Sequence, residues 1–272
     1  MTLANDVFRP EGRRGRQTAP VEAPLPTFIV IGAQKSATRW LRENLGQHPD
    51  IFVAPEELKY FNHPKRVDVL GAGWYRAQFD GWAGEAITGE ATPGYMMLGH
   101  RPADVAGRIK ATVPAVRLIA LLRNPVDRAY SAFLHHQRAD RVHPRARLLD
   151  TVRRCRPEDD WMGIIAGGWY AASLDPYVKL FGDRLLVLIH DDVGQDPGSV
   201  YASALDHVGA STDFEPPFLD RVVFSNAGAS RSDRPSAAER WELFEFFRDD
   251  VARLEVMLGR DLSQWRPSTS VD

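Results

Sequence analysis

The sequence is poor in cysteine, in long apolar runs and in lysine. Cys155 is the only cysteine among 272 residues, so no disulfide can form within the chain, which favours a reducing compartment. No stretch approaches the roughly 18–20 apolar residues of a membrane-spanning helix. The first 24 residues also lack an apolar stretch long enough for a signal peptide. These absences predict a cytoplasmic protein without a membrane span.

The chain also lacks an excess of either charge. Its 34 basic and 36 acidic side chains give a formal net charge of −2, whereas a general nucleic-acid binder carries a strong basic excess. The composition therefore argues against a nucleic-acid partner. Hydrophobic residues make up 44% of the chain, which is typical of a globular protein and excludes a wholly disordered one. The same figures leave the number of subunits open.

Lysine is scarce even among the basic residues, most of which are arginines. A GC-rich genome is one explanation of this bias. Because lysine and arginine are not interchangeable in chemistry, each lysine is nevertheless a candidate for a specific role. The lysines are Lys35, Lys59, Lys65, Lys110 and Lys179.

Short apolar, β-branched runs indicate strands that are buried on both faces. Three runs have this character and a fourth is weaker: residues 27–31, 117–122, 185–189 and, as the weaker one, 86–90. Helical patterns lie between and after these runs. They follow Gly32 as far as Gly46, begin again at Pro125 and at Asp196-Pro197, and end with an amphipathic helix over 236–258 that Gly259 is placed to stop.

Buried strands that alternate with helices predict a central parallel β-sheet flanked by helices on both faces. The expected organisation is a flexible tail over residues 1–24, followed by a single α/β domain over 25–272. Such sheets bind ligands beyond the carboxyl ends of their strands. Two polar segments, 62–85 and 138–168, are expected to line the substrate pocket, and the second is also placed to act as a lid.

The most informative segment is the turn after the first predicted strand, Gly-Ala-Gln-Lys-Ser-Ala-Thr at 32–38. Small residues let backbone N–H groups approach an anion, the following helix adds a partial positive charge, and Lys35 and Thr38 add donors. The segment is thus a phosphate cradle. It lacks the Gly-Lys pair of a Walker A loop, which disfavours an ordinary kinase. The alternative is a plain strand-to-helix turn with a solvated lysine.

A second anion site is predicted where the strand over 117–122 ends. Arg123 stands at its carboxyl end, and Ser131 lies two helical turns further on. An arginine fork and a hydroxyl can hold a phosphate there. The alternative is an ion pair between Arg123 and Asp127. Two separated anion sites at one sheet edge favour a nucleotide with phosphates at its 5′ and 3′ ends.

With these residues the chain resembles the sulfotransferases that use 3′-phosphoadenosine-5′-phosphosulfate (PAPS), in the branch of the heparan sulfate enzymes and their bacterial relatives. The resemblance runs from about Phe28 to Trp265. It implies the P-loop-like sulfotransferase fold. The motifs that carry it are the 32–38 loop, His48-Pro49-Asp50, Glu56 to Phe61, Glu90 to Tyr95, Arg123 to Ser131, Gly168-Trp169-Tyr170, Asp191 to Pro197 and Leu258 to Trp265.

The resemblance implies a set of nucleotide contacts. Lys35 would contact the bridging oxygen of PAPS, and Arg123 and Ser131 would bind the 3′-phosphate. The 5′-phosphate would be held by Ser36, Ala37, Thr38 and Arg39. The loop 226–235, with Arg231 and Ser232, would close over the nucleotide, and Tyr170 would approach it from the other side unless it is only a core residue.

The resemblance also implies a catalytic group. Glu57 falls on the family's carboxylate, which would take the proton of the attacking hydroxyl; the alternative is a salt bridge with Lys59. Lys59 stands where some relatives have histidine and would act as a substitute cation. Ala91 stands where the heparan enzymes have lysine, which predicts an acceptor other than heparan.

The expected activity is therefore transfer of a sulfuryl group from PAPS to a hydroxyl of a small molecule, glycan or secondary metabolite. Adenosine 3′,5′-bisphosphate (PAP) would be the product, and no metal is required. The two alternatives are a nucleotide-dependent phosphotransferase and a non-catalytic nucleotide-binding module on the same fold.

Overall fold

The computed structural model describes residues 23–154, 160–217, 219–220 and 234–268. These residues form a single domain around one five-stranded parallel sheet with the strand order β2-β3-β1-β4-β5. The strands are β1 (Phe28–Gly32), β2 (Ile51–Val53), β3 (Ile87–Ala91), β4 (Arg117–Leu122) and β5 (Leu185–Ile189). The four predicted strands are confirmed; β2 was not predicted, because three residues are too short for a recognisable pattern.

The order in which the chain adds strands to the sheet reverses at β1. From β1 the next strands in the chain lie on one side, as β3 and β2, and the later ones on the other side, as β4 and β5. Because every pairing is parallel, the carboxyl ends of β1, β3 and β4 lie at one edge. A crevice at such a reversal is the usual place for a ligand in this class of sheet.

Ten α-helices lie in the parts of the chain that the structure describes. They are α1 (Thr38–Leu45), α2 (Gly71–Ala77), α3 (Pro102–Thr112), α4 (Pro125–Arg138), α5 (Leu148–Arg154), α6 (Tyr170–Phe181), α7 (His190–Gln195), α8 (Pro197–Val208), α9 (Ala237–Glu245) and α10 (Arg248–Leu258). Helices α1 and α8 pack with one face of the sheet, and α3, α4, α6 and α10 pack with the other. Both faces are therefore covered, as the continuous apolar strands predict.

Two helices begin with proline at the first position, as predicted, and the predicted cap at Asp196 is also present. Asn124 caps α4, since its side chain accepts hydrogen bonds from the N–H groups of Val126 and Asp127, and Pro125 occupies the first position. Asp196 caps α8 by accepting from the N–H of Ser199.

The prediction of one continuous helix over 236–258 is wrong. The chain forms α9 and α10 with a break at Phe246 and Phe247. The side chain of Phe247 is completely buried, and the carbonyl of Phe246 accepts a hydrogen bond from the indole of Trp169 at 2.7 Å. This tertiary contact, which the helical period does not reveal, replaces the helical bond at the break. Gly259 ends α10 in the left-handed conformation, as predicted.

The segment 138–168 contributes to the core as well as to the surface. Its helix α5 buries Leu148, Leu149 and Val152. Two of its arginines, Arg147 and Arg153, form ion pairs with glutamates of α9. Helix α5 is therefore anchored to α9, and a role of the remaining segment in substrate binding stays a prediction. Residues 155–159, which include Cys155, lie outside the described residues.

At the amino-terminal side, description begins at Ala23, which is buried and whose carbonyl accepts a hydrogen bond from Arg76 at 3.0 Å. The expected tail over 1–24 falls almost wholly outside the described residues, so the domain boundary stays a prediction. Within the described ranges, no helix is long and apolar enough to span a membrane.

Candidate active site

The loop between β1 and α1 has the conformation of an anion cradle. Gly32 ends the strand beneath the side chain of Met96, and a Cβ at Gly32 would lie 2.2 Å from Met96 Sδ. Lys35 and Ala37 both adopt positive φ, of 72° and 65°. Ala37 occupies the cap position of α1 and has no side-chain acceptor. The first N–H groups of α1 therefore remain available to an anion.

Lys35 lies in a cluster of positive charges. Burial lowers the pKa of Lys35, and three neighbouring cations add to that effect: Arg138, Arg123 and Arg128. Among the described residues no carboxylate lies within salt-bridge distance of Lys35, Arg123 or Arg138. Cations that are gathered without a carboxylate at salt-bridge distance fit a polyanionic ligand such as a nucleotide.

Arg123 connects the two predicted anion sites. Its Nη1 donates a hydrogen bond to the backbone carbonyl of Lys35 at 3.4 Å. The alternative ion pair with Asp127 does not form; Asp127 lies 2.7 Å from Arg240 of α9 instead. Ser131, the predicted partner of Arg123, is buried on α4. The topology thus brings Lys35 and Arg123 together. In the described chain the guanidinium of Arg123 interacts electrostatically with Asp191 but has no carboxylate within salt-bridge distance.

Tyr170 lies against the same cluster, and its contact with a nucleotide stays a prediction. It is completely buried, and its hydroxyl donates to the backbone carbonyl of Arg123 at 2.8 Å. The hydroxyl of Ser36 is also buried and lies beside the hydroxyl of Tyr170, without a partner of strict hydrogen-bond geometry in the described ranges. A buried hydroxyl whose hydrogen bond is not well formed fits the oxygen of a bound phosphate, because buried polar atoms are otherwise paired.

The remaining loop residues differ in their surroundings. Thr38 is buried at the start of α1. Arg39 forms an ion pair with Glu43 one turn later and is half exposed, so its contact with a nucleotide stays a prediction. Arg231 and Ser232 lie outside the described residues, and the closure of their loop stays a prediction as well.

Arg128 was not singled out from the sequence, yet it lies behind the site. It is completely buried on α4, and its Nη2 donates to the carbonyls of Gly163, at 2.9 Å, and Ile164. A Cβ at Gly167 would lie 2.7 Å from Arg128 Nη1, so this close approach requires glycine. Arg128 anchors the turn that precedes Tyr170 and adds to the positive charge around Lys35.

Glu57 and Lys59 lie on the segment between β2 and α2. Their side chains form an ion pair with 3.6 Å between Lys59 Nζ and Glu57 Oε2, and both are about half exposed. The pair that the sequence offered as the alternative to catalysis therefore exists. An exposed pair of this length contributes little stability and leaves the carboxylate accessible to a hydroxyl. The pairing and a catalytic role are compatible.

Glu90, near the end of β3, was recognised in the sequence only as part of the motif Glu90 to Tyr95. It is completely buried and accepts three hydroxyl hydrogen bonds, from Tyr75 at 2.7 Å, Thr92 at 2.7 Å and Tyr95 at 2.9 Å. Burial raises the pKa of Glu90 to about 7, although the three hydrogen bonds oppose this shift. The sequence feature that could have pointed to Glu90 is a charged residue inside an otherwise buried strand.

Two histidines of α4 differ in their environment. Burial and the charge of Lys35 lower the pKa of His135, which places this ring beside the cluster. The ring of His136 is buried, and its Nε2 lies 3.0 Å from the carbonyl of Met162. His135 therefore faces the candidate site, whereas His136 is a core residue. In the described part of the chain, no group of three His, Cys, Asp or Glu residues is placed to hold a metal ion.

These features define a class: an α/β protein whose anion cradle and cation cluster meet at the carboxyl edge of a parallel sheet. Comparisons with known proteins are specific about the family. Residues 25–217 match the model of the sulfotransferase domain. A solved sulfotransferase from Alicyclobacillus acidocaldarius is 30% identical, with a TM-score of 0.70, over 88% of this chain and 98% of that one.

Curated relatives include human heparan sulfate glucosamine 3-O-sulfotransferase 6, which is 29% identical over 76% of this chain. Mouse heparan sulfate glucosamine 3-O-sulfotransferase 3B1 is 32% identical over 63% of it. The alignments span 59% and 44% of the lengths of these two relatives. The chain belongs to the sulfotransferase family. The resemblance found in the sequence and the predicted fold class are both confirmed.

Proposed function

We propose that this sulfotransferase moves the sulfuryl group of PAPS to a hydroxyl of a small-molecule or glycan acceptor and releases PAP. The observation that carries the proposal is the cluster of Lys35, Arg123 and Arg138, which has no carboxylate within salt-bridge distance in the described residues. Its charge matches a doubly phosphorylated nucleotide. A family that uses this donor supports the assignment.

The 5′-phosphate side of the donor would be held by Lys35, Ser36, Ala37, Thr38 and Arg39. The basis is the start of α1, which has no side-chain cap, and the buried Ser36 hydroxyl inside the cradle. Arg123 and Ser131 would hold the 3′-phosphate, and Tyr170 would support them through the backbone of Arg123. Arg231 and Ser232 complete the proposed set.

In the transfer, the acceptor oxygen forms a bond to sulfur while the bond from sulfur to the bridging phosphate oxygen breaks. Glu57 takes the proton of the acceptor hydroxyl. Negative charge develops on the bridging oxygen of the leaving nucleotide, and Lys35 stabilises it there. Lys59, at 3.6 Å from Glu57, supplies a second cation beside the reacting group. No step in this sequence uses a metal ion.

An acceptor other than heparan stays part of the proposal. Ala91 is buried at the end of β3, where the resembling heparan enzymes carry lysine. The site thus lacks one cation beside the sulfuryl group, and an acceptor with less negative charge suits it better. The cytoplasmic location expected from the sequence is proposed on the same terms, since it rests on composition alone.

The experiment that tests the function supplies PAPS labelled with ³⁵S to the purified protein with a panel of hydroxyl compounds, including sugars and phenols, and measures both PAP and labelled product. Label in an organic product together with an equal amount of PAP supports the proposal. Tight binding of PAP without any release from PAPS would favour the non-catalytic module, and transfer of phosphate from ATP would favour the phosphotransferase.

A further inference from the structure

The segment 58–61, which carries Lys59 and follows Glu57, has no regular secondary structure. Its backbone is held by side chains from elsewhere in the fold. The N–H of Lys59 donates to the hydroxyl of Thr92 at 3.2 Å, and the N–H of Tyr60 donates to the hydroxyl of Tyr95 at 3.2 Å. Backbone groups that would otherwise be buried without partners are thus satisfied by two hydroxyl oxygens.

Two backbone carbonyls of the same segment accept hydrogen bonds from arginine side chains. Arg66 Nη1 donates to the carbonyl of Leu58 at 2.7 Å, and Arg108 Nη1 donates to that of Phe61 at 2.8 Å. Lys59 adopts a positive φ of 50°. A non-glycine residue persists in this region only where its surroundings determine the conformation. Four side-chain contacts in a row provide such surroundings.

The two hydroxyl groups among these four contacts also bind Glu90. The hydroxyl of Thr92 donates to Glu90 Oε2, and the hydroxyl of Tyr95 donates to Glu90 Oε1. Each hydroxyl has a single proton. Because the carboxylate takes both protons, the lone pairs of both oxygens point toward the N–H groups of Lys59 and Tyr60. The carboxylate therefore sets the direction of both hydrogen bonds.

We propose that Glu90 is a positioning residue of the transfer reaction: through Thr92 and Tyr95 it holds the backbone of Lys59 and Tyr60, and thereby the side chains of Glu57 and Lys59. The inference rests on the proposed function, since it gives Glu57 and Lys59 their roles. Glu90 itself touches no reacting atom, because it is completely buried. Misplacement of a base by a fraction of an ångström is costly in a transfer reaction.

The fold offers a matched control. Tyr75 and Tyr95 are both completely buried, and both donate to Glu90 Oε1. Only the Tyr95 hydroxyl also accepts from the backbone of the 58–61 segment. Tyr75→Phe and Tyr95→Phe therefore remove the same bond to Glu90, while only the second removes a contact with the segment. Thr92→Val tests the other contact, and Glu90→Gln tests the carboxylate at constant size.

The measurements are amide hydrogen exchange, the Kd for PAP, the melting temperature, and kcat and KM for conversion of PAPS to PAP with water as the acceptor at pH 8. We expect Thr92→Val to speed exchange at Lys59 and Tyr95→Phe to speed it at Tyr60, each by roughly 10-fold or more. In both variants kcat should fall by roughly 10-fold while the Kd for PAP stays within about twofold. Glu90→Gln should speed exchange at both Lys59 and Tyr60 and lower kcat in the same way. Tyr75→Phe should leave both exchange rates and kcat unchanged.

Equal losses of kcat in Tyr75→Phe and Tyr95→Phe, in step with melting temperature, would overturn the inference and make Glu90 a structural carboxyl only. So would unchanged exchange at Lys59 and Tyr60 in Glu90→Gln. If the unaltered protein binds PAP but never releases it from PAPS, the proposed function fails, and the exchange pattern alone then decides whether Glu90 holds the segment.

Discussion

The guanidinium of Arg123 donates a hydrogen bond to the backbone carbonyl of Lys35 at 3.4 Å. These residues are far apart in the chain, at the ends of the neighbouring strands β4 and β1. The contact joins the loop that would hold the 5′-phosphate to the one that would hold the 3′-phosphate. A single nucleotide can therefore contact both loops. Lys35 and Arg123 each give a separate prediction.

Replacement of Lys35 by alanine should lower kcat for PAPS conversion by roughly 100-fold, because a preorganised donor at the leaving oxygen is lost. The Kd for PAP should rise by less, since the backbone N–H groups of the cradle remain. Steady-state kinetics and titration calorimetry measure the two effects. Lys179→Ala is the control, because Lys179 is exposed and its ion pair among the described residues is with Asp175. Equal kinetics in the two variants would remove Lys35 from the reaction.

Replacement of Arg123 by alanine should weaken PAP by roughly 10- to 100-fold and leave the binding of 5′-AMP nearly unchanged, because a charged hydrogen bond to the 3′-phosphate is lost. Calorimetric titration with both nucleotides tests this. Arg240→Ala is the control; it removes the ion pair with Asp127 on the same helix α4 and should alter neither affinity. A parallel loss for both nucleotides in Arg123→Ala would contradict the assigned subsite.

Replacement of Glu57 by glutamine should lower kcat by at least about 100-fold, since an amide cannot take the acceptor proton. The Kd for PAP should stay within about twofold, because Glu57 lies outside the nucleotide cradle. Glu56→Gln is the matched control: Glu56 is the preceding carboxylate and is likewise exposed. If Glu57→Gln turns over PAPS as fast as Glu56→Gln, Glu57 is not the base.

The buried Glu90 predicts a dependence of stability on pH. Burial raises its pKa to about 7 in the folded protein, from an ordinary 4.5; the titratable groups that face it are Tyr75, Tyr95 and Glu57. A raised pKa favours the folded state fully below pH 4.5, and this contribution is lost as pH rises toward and above 7. The loss amounts to about 3 kcal/mol.

Urea denaturation between pH 5 and pH 8 measures this contribution, as the free energy of unfolding of the unaltered protein minus that of Glu90→Gln. The difference should fall as pH rises. A difference that is constant with pH would mean that Glu90 keeps the same protonation state in the folded and unfolded chains.

The sequence predicted those parts of the fold that rest on local patterns. The strands β1, β4 and β5 are apolar runs and β3 is the weaker one. Pro125 at the first position of α4 and the Asp196 cap before Pro197 are local chemistry. The break between α9 and α10 was missed because it depends on the contact of Phe246 with Trp169, which is distant in the chain.

The same division applies to the site. The motifs predicted Lys35, Arg123 and Tyr170 as residues of one site, and in the fold these three lie together; their roles in binding stay predictions. No local pattern reveals that Asp127 pairs with Arg240 rather than with Arg123. The hub at Glu90 combines the hydroxyls of Thr92 and Tyr95, from its own motif, with that of Tyr75 from α2, and only the folded chain shows that all three meet the carboxylate.

The most direct test of the central claim is the change in melting temperature of the protein on addition of PAP compared with ATP at equal concentrations. The cation cluster around Lys35 and Arg123 predicts a concentration-dependent rise with PAP and little or none with ATP, since a ligand stabilises the folded state in proportion to its affinity. A rise with ATP and none with PAP would contradict the assignment of this site to a 3′,5′-bisphosphorylated nucleotide.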